Sequence, residues 1–96
     1  MKKVFRESIH QIGRSHDCAI YEYKERKIKV VYQAYNANET CETFLFDGNK
    51  WNQIFCLEDL GILPNRSAYN IYEPSKRMAQ AENFIKKMLI AVKTIL

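Results

Sequence analysis

The fold of this 96-residue chain is decided by its C-terminal segment, residues 74–96, which reads PSKRMAQAENFIKKMLIAVKTIL. Apolar residues recur in it at alternating intervals of three and four, which places them on one face of a helix. The residues of this apolar stripe are Met78, Ala81, Ile85, Met88, Val92 and Ile95. Pro74 suits the first helical position, because the N–H that proline lacks would have no partner there. The segment therefore predicts a long amphipathic helix.

The apolar stripe of this helix can be buried in two ways. Phe84, Leu89, Ala91 and Leu96 widen the stripe beyond the two positions per heptad that form a coiled-coil seam. A stripe of this width favours packing against a sheet within the same domain. The alternative is a self-association surface, which would make the protein a homodimer through its C-terminal helix.

The segments ahead of the helix are rich in β-forming residues. Residues 17–23 and 27–35 predict a hairpin, because the second of them alternates apolar and polar side chains. A third strand is expected over residues 40–46 and a short fourth strand over residues 50–55. Asp47-Gly48, between them, is the strongest turn signal in the chain, because both residues tolerate the positive φ of tight hairpins.

The N-terminal segment is predicted to be a short helix. Val4, Phe5, Ser8, Ile9 and Ile12 fit helical spacing, and Gly13 would stop the helix; a strand is the weaker alternative. Residues 56–61 fit one helical turn, and residues 68–72 an extended segment. The order of elements predicts a single α+β domain over residues 1–96, a four-strand antiparallel meander packed by the C-terminal helix with the N-terminal helix at one edge.

Composition indicates an ordinary globular domain, with 47% apolar and 27% charged residues. No apolar run approaches 18 residues, so we expect no membrane partner. The first residues are basic but lack the apolar stretch of a signal peptide, which favours a cytoplasmic location. Three widely spaced cysteines, Cys18, Cys41 and Cys56, are then expected to be free thiols.

Candidate catalytic residues are few. His16 and Cys18 would share one face of a strand, and a Cys–His pair can generate a nucleophilic thiolate. Nothing else completes such a site, because the sequence has no glycine-rich nucleophile turn and no obvious orienting carboxylate. The paired short spacings of a zinc site and the glycine-rich loops of nucleotide sites are absent as well. We therefore expect a protein without catalysis, cofactor or metal, and leave the reactivity of His16 and Cys18 open.

The charge of the chain is unevenly distributed. Residues 1–36 carry eight basic and four acidic side chains, residues 37–75 two and six, and residues 76–96 five and one. If the two ends fold together, they would form one positive surface suited to nucleic acid. The candidate residues for that surface are Lys76, Arg77, Lys86, Lys87, Lys2 and Lys3.

Aromatic residues concentrate in the strand region, and several lie next to lysines. On an exposed sheet face, such rings can anchor a partner protein or stack nucleic-acid bases. The candidate partner-binding residues are Tyr23, Tyr35, Trp51, Lys27 and Lys29. We expect a small non-enzymatic binding or regulatory module that acts through protein–protein contact. The alternative is a nucleic-acid-binding domain that uses the basic N- and C-terminal segments.

Overall fold

The computed structural model describes residues 1–36, 38–62 and 73–96 and shows an α+β fold. Five strands are followed by a 3-10 turn and one long helix. The elements are β1 (Lys2–Gln11), β2 (Arg14–Tyr23), β3 (Arg26–Tyr35), β4 (Asn38–Phe46), β5 (Trp51–Cys56), the 3-10 turn (Glu58–Leu60) and α1 (Pro74–Ile95). The extended segment predicted for residues 68–72 lies outside the described residues.

The five strands form one antiparallel sheet in the order β1-β2-β3-β4-β5. Each strand pairs with the next along the chain, so every connection within the sheet is a hairpin. The helix follows the sheet in sequence and packs against one of its faces. These features confirm the predicted class, an antiparallel meander packed by a long C-terminal helix.

The predicted N-terminal helix is wrong, because this segment forms strand β1 and makes the sheet five-stranded. Gly13 does not stop a helix; at φ 77° it lies in the tight turn that leads into β2. β2 accordingly begins at Arg14, earlier than predicted. The helical spacing of apolar residues in β1 misled the prediction, because the side chains that alternate with them towards α1 are polar: Arg6, Ser8 and His10.

The turn between β4 and β5 is the one that the sequence predicted. Gly48 has φ 96°, the positive value expected for the Asp47-Gly48 turn. The Asp47 carboxylate accepts hydrogen bonds from the backbone N–H groups of Asn49 and Lys50, at 2.8 and 2.9 Å, and from the Asn52 side chain at 2.9 Å. These hydrogen bonds lower the pKa of Asp47, and the one from the Lys50 N–H has the largest effect. The turn thus fixes the start of β5.

The core lies between α1 and the sheet face that it covers. On β3, every second side chain is buried: Ile28, Val30, Tyr32 and Ala34. The helix contributes Ala81, Phe84, Ile85, Met88 and Val92 to the same cluster, and Leu45 packs at its margin. The predicted stripe is therefore buried over its central turns. Its two ends are exposed, Met78 at 49% and Ile95 at 60%.

We predict that Ile85→Ala lowers the free energy of unfolding by about 2–5 kcal/mol, because it leaves a cavity among side chains that close on Ile85 from the sheet. Ile85 is 2% exposed, whereas Ile90, on the same helix, is 57% exposed. Ile90→Ala is the matched control and should change stability by less than about 1 kcal/mol. Urea denaturation measures both. Equal effects of the two substitutions would contradict the helix orientation.

Candidate binding face

The sheet face that α1 does not cover carries a set of aromatic, aliphatic and charged side chains, and we call it the open face. Strand pairing aligns them in rows across the sheet, because paired residues share a face. One row consists of Phe5, Ile20, Lys29, Phe44 and Gln53; its neighbours are Glu7, Cys18, Val31, Glu42 and Cys56 on one side and Lys2, Glu22, Lys27, Phe46 and Trp51 on the other. Within the described residues, α1 and residues 57–62 pack on the opposite face.

A lysine held against two aromatic rings lies at one end of the open face. The Lys29 Nζ atom is 4.7 Å from the Trp51 ring centroid and 5.1 Å from that of Phe44. Phe46 packs beside Trp51, with ring centroids 5.0 Å apart and planes tilted by 47°. Because the faces of these rings attract a cation, they hold the ammonium group above the sheet. The arrangement presents one positive charge at a fixed place among apolar side chains.

The open face is neither strongly apolar nor strongly charged. Phe5 and Ile9 are 45% and 44% exposed, and Tyr35 is 69% exposed. Val31 and Ile20 are half-buried. The lysine, arginine and glutamate side chains on this face number four basic and three acidic: Lys2, Arg14, Lys27, Lys29, Glu7, Glu22 and Glu42. Aromatic rings within a nearly balanced polar surround are typical of protein-contact surfaces.

The structure places four of the five predicted partner-binding residues on one face, with Tyr35 at the opposite end of β3 from Lys27 and Lys29. Lys27, Lys29, Tyr35 and Trp51 all lie on the open face. Tyr23 lies on the opposite face, because the alternation of β2 points it to the same side as buried Ala19, and it packs at the margin of the core. The sequence did not single out Phe44, Phe46 or Phe5, which share the open face, since only the strand register assigns them to it.

The predicted nucleic-acid-binding residues are not gathered onto one face. Arg77 is 3% exposed and paired with a buried carboxylate, so it is withdrawn from the surface. Lys2 and Lys3 lie on opposite faces of β1, since they pair with Glu22 and Tyr21. Lys86 and Lys87 are exposed on α1, and Lys76 forms an ion pair with Glu73 at 3.4 Å.

Arg77 belongs to a buried polar cluster that joins α1 to the sheet. The Glu39 Oε2 atom accepts hydrogen bonds from the Tyr32 hydroxyl at 2.5 Å, from Arg77 Nη1 at 3.1 Å and from the Gln80 side chain. Arg77 Nη2 also donates to the backbone carbonyl of Asn36 at 2.8 Å. Burial raises the pKa of Tyr32, and the hydrogen bond to Glu39 raises it further. The cluster thus fixes the first turns of the helix to β3 and β4.

A second polar cluster, built around a buried carboxylate, attaches strand β1. The carboxylate of Asp17, a fully buried residue of β2, accepts hydrogen bonds from Arg6 Nε at 2.6 Å and from the Ser8 hydroxyl, and lies 2.8 Å from His10 Nε2. Arg6 also donates to Glu82 of α1 at 2.5 Å. These contacts tie three successive inward side chains of β1 to its neighbours.

The second cluster also contains a carboxylate–imidazole–hydroxyl series. His10 lies between Asp17 and Ser15, with its Nδ1 atom 3.0 Å from the Ser15 hydroxyl. The same three groups, in that order, activate serine nucleophiles in hydrolases. Ser15 is only 2% exposed, however, and a buried hydroxyl cannot meet a substrate. We therefore interpret the series as a structural network.

His16 and Cys18 share the open face, as their spacing predicted. The Nδ1 atom of His16 is 3.9 Å from a carboxylate oxygen of Glu7, on the neighbouring strand. Partial burial raises the pKa of the Cys18 thiol, which disfavours the thiolate that a nucleophile needs. Across the described ranges, no group of three or more metal-ligating side chains is present.

Comparisons of the chain with protein-family models, with curated proteins and with solved structures found no match. Function must therefore be argued from the side chains and their placement. In the part of the chain that the structure describes, no helix combines the length and the apolar character needed to cross a bilayer.

We predict that Arg77→Met destabilises the protein by about 3–5 kcal/mol, because it leaves the Glu39 carboxylate buried without its cation. Lys76→Met is the control at the next position, where the ion pair with Glu73 is exposed to solvent, and should cost less than about 1 kcal/mol. Thermal or urea unfolding measures both. A surface role for Arg77 would instead leave stability nearly unchanged.

The three thiols should differ in reactivity. Cys41 is 1% exposed, and burial raises its pKa to about 12, so it is both shielded and protonated at pH 8. Cys18 and Cys56 are partly accessible. We expect a disulfide reagent such as DTNB to modify these two in the native protein and Cys41 only after unfolding. Modification of all three at one rate would contradict the placement of Cys41.

Proposed function

We propose that this chain is a small binding module that docks a partner protein on its open face. The observation that carries the proposal is the Lys29 ammonium group, which is held 4.7 Å and 5.1 Å from two aromatic ring centroids on a sheet face that α1 leaves uncovered. Tryptophan at the centre of an apolar contact is the residue type that most often dominates a protein interface. Trp51 is the only tryptophan in the sequence.

The charges of the open face support a protein rather than a polyanion as the partner. Glu7, Glu22 and Glu42 lie among its basic residues and would repel successive phosphates. Lys29 needs little further ordering to bind a carboxylate, because two rings already restrict it. The partner is therefore expected to present an acidic side chain flanked by apolar ones.

Nucleic-acid binding through the basic terminal segments is the less supported alternative. Arg77 is engaged with Glu39, and Lys2 and Lys3 face in opposite directions. Rings on a sheet can nevertheless stack unpaired bases without sequence preference. The experiment below therefore includes single-stranded nucleic acid as a competing ligand.

We predict that Trp51→Ala weakens partner binding about 30-fold or more, the effect of losing a large aromatic anchor. Lys29→Glu should weaken it as well, by reversing the charge that meets the partner's carboxylate. The measurement is capture of partners from nuclease-treated extract on the immobilised full chain, followed by titration of the captured protein with Trp51 fluorescence as the signal. For the variant that lacks Trp51, calorimetry replaces fluorescence.

Ile90→Ala is the matched control, since Ile90 is exposed on α1, on the other side of the sheet. It should leave binding unchanged. The proposal fails if Trp51→Ala and Lys29→Glu retain full binding. It also fails if the chain captures its partner from untreated extract but not from nuclease-treated extract. Micromolar binding of single-stranded oligonucleotides that Lys29→Glu abolishes would show nucleic acid, and not a protein, to be the ligand of the open face.

A further inference from the structure

Strand β1 forms an edge of the described sheet, and exposed apolar side chains concentrate along it and at its two ends. Among the described strands it pairs with β2 alone, so its outer edge presents a row of backbone groups. Five of the nine exposed large apolar side chains in the described residues lie on β1 or directly beside it. They are Met1, Val4, Phe5, Ile9 and Ile12. Proteins normally protect such an edge, because it pairs readily with another strand.

Two of the usual protections of an edge strand, a bulge and lysine side chains, lie at one end of β1. The pairing register shifts between Lys3 and Phe5, and the strand begins with Lys2 and Lys3. From Phe5 to Gln11 the pairing with β2 is regular, and the segment contains no proline. The contacts of Arg6, Ser8 and His10 with β2 also hold this part of the strand in place. The edge is therefore a preformed surface for pairing.

The hydrogen-bonding pattern between β1 and β2 also determines which backbone groups of β1 can pair with a further strand. The two-residue turn at 12–13 makes Gln11 and Arg14 the hydrogen-bonded pair that closes the hairpin, and bonded pairs alternate along an antiparallel ladder. The odd-numbered residues of the regular segment therefore bond to β2. The backbone groups of Arg6, Ser8 and His10 point away from the sheet, where a further antiparallel strand can meet them.

We propose that the strand that pairs with this edge is β1 of a second copy of the chain, antiparallel and centred on Glu7. This register sets Phe5 of each copy directly opposite Ile9 of the other, on the open face. Arg6 then forms a backbone hydrogen-bonded pair with Ser8 of the second copy. Both large exposed side chains of the regular segment thus gain an apolar partner, and such cross-strand pairs are the stabilising unit of a sheet.

The neighbouring registers that keep the two faces aligned are less favourable. Centring on Arg6 sets Phe5 opposite Glu7 of the other copy, and centring on Ser8 sets Ile9 opposite Glu7. Each places one of the two apolar side chains opposite a carboxylate. The proposed register has its own cost, because Glu7 lies opposite Glu7 of the second copy, and like charges in that position are destabilising. This cost provides a specific test.

The proposed dimer doubles the binding surface. Because the two-fold axis is perpendicular to the sheet, pairing creates one ten-stranded sheet with both open faces on the same side and both helices on the other. Two copies of the Lys29 and Trp51 arrangement would then face one partner, which raises apparent affinity when both engage. Dimer formation itself does not depend on what the open face binds.

Sedimentation of the full chain over a concentration series tests the proposal. We expect a reversible monomer–dimer equilibrium whose dissociation constant falls about two- to fivefold in Glu7→Gln, since the like-charge contact is removed. Ile9→Lys should raise it about tenfold or more, because two apolar pairs are lost and a charge is added to the edge. Ile90→Lys, on the exposed side of α1, is the control and should have no effect.

A single monomeric species at millimolar concentration overturns the proposal. An effect of Ile90→Lys as large as that of Ile9→Lys also overturns it, since it would place the contact on the helix. A change in Trp51 emission upon dimerisation would indicate stacking of the open faces instead, because Trp51 lies on β5, at the far edge of the sheet. Edge pairing leaves that emission unchanged.

Cross-linking tests the register independently. In the proposed dimer the two Glu7 Cα atoms form a non-hydrogen-bonded pair about 4.5 Å apart, which is within disulfide reach. Glu7→Cys should therefore give a covalent dimer on mild oxidation. Cys18, its cross-strand neighbour on β2, is replaced by Ser in this variant to prevent an intrachain bond. Gln11→Cys in the same background should remain monomeric, and cross-linking of both variants to the same extent would overturn the register.

Discussion

Arg77 donates to Glu39 inside the protein, and this buried ion pair sets the position of the helix on the sheet. A charged pair is costly to bury unless its remaining hydrogen-bonding groups are satisfied. Here Tyr32 and Gln80 also donate hydrogen bonds to the carboxylate, and the carbonyl of Asn36 accepts one from the guanidinium. An apolar stripe could slide along a pleated surface by a turn at modest cost, but these directional bonds would all be lost. We infer that they select one placement of α1.

The width of α1 relative to that of the sheet explains which parts of the sheet the helix leaves uncovered. Five strands at a spacing of about 4.8 Å span about 20 Å, whereas one helix is about 10–12 Å wide. A single helix therefore cannot cover all five strands of one face, and its main contacts are with β1, β2, β3 and β4. On β1, the side chains on the helix side are accordingly polar and are held by Asp17. Lys29, Trp51 and their neighbours lie on the opposite face, which no described helix covers.

The same geometry explains which parts of the structure the sequence could predict. The C-terminal helix, the hairpins around β3 and the turn at Gly48 were predictable, because each depends on residues close in sequence. Strand β1 was not, because an edge strand with a polar inward side lacks the alternation of hydrophobicity that identifies strands. The aromatic and lysine residues of the open face could be named individually. Tyr23 was misplaced and Phe44 overlooked, since assignment to a face requires the register of every strand.

By itself, the amino-acid sequence determined the class of this fold: the periodicity of residues 74–96, the alternation in β3 and the turn residues act over a few positions and need no distant partner. Only the tertiary structure decided which basic residues remain at the surface. Arg77 and Lys76 are adjacent and look alike in sequence, yet one is buried against Glu39, 38 residues away, and the other is exposed to solvent beside Glu73. The physical reason is that burial and pairing of a charge depend on contacts between segments far apart in the chain, which no local pattern records.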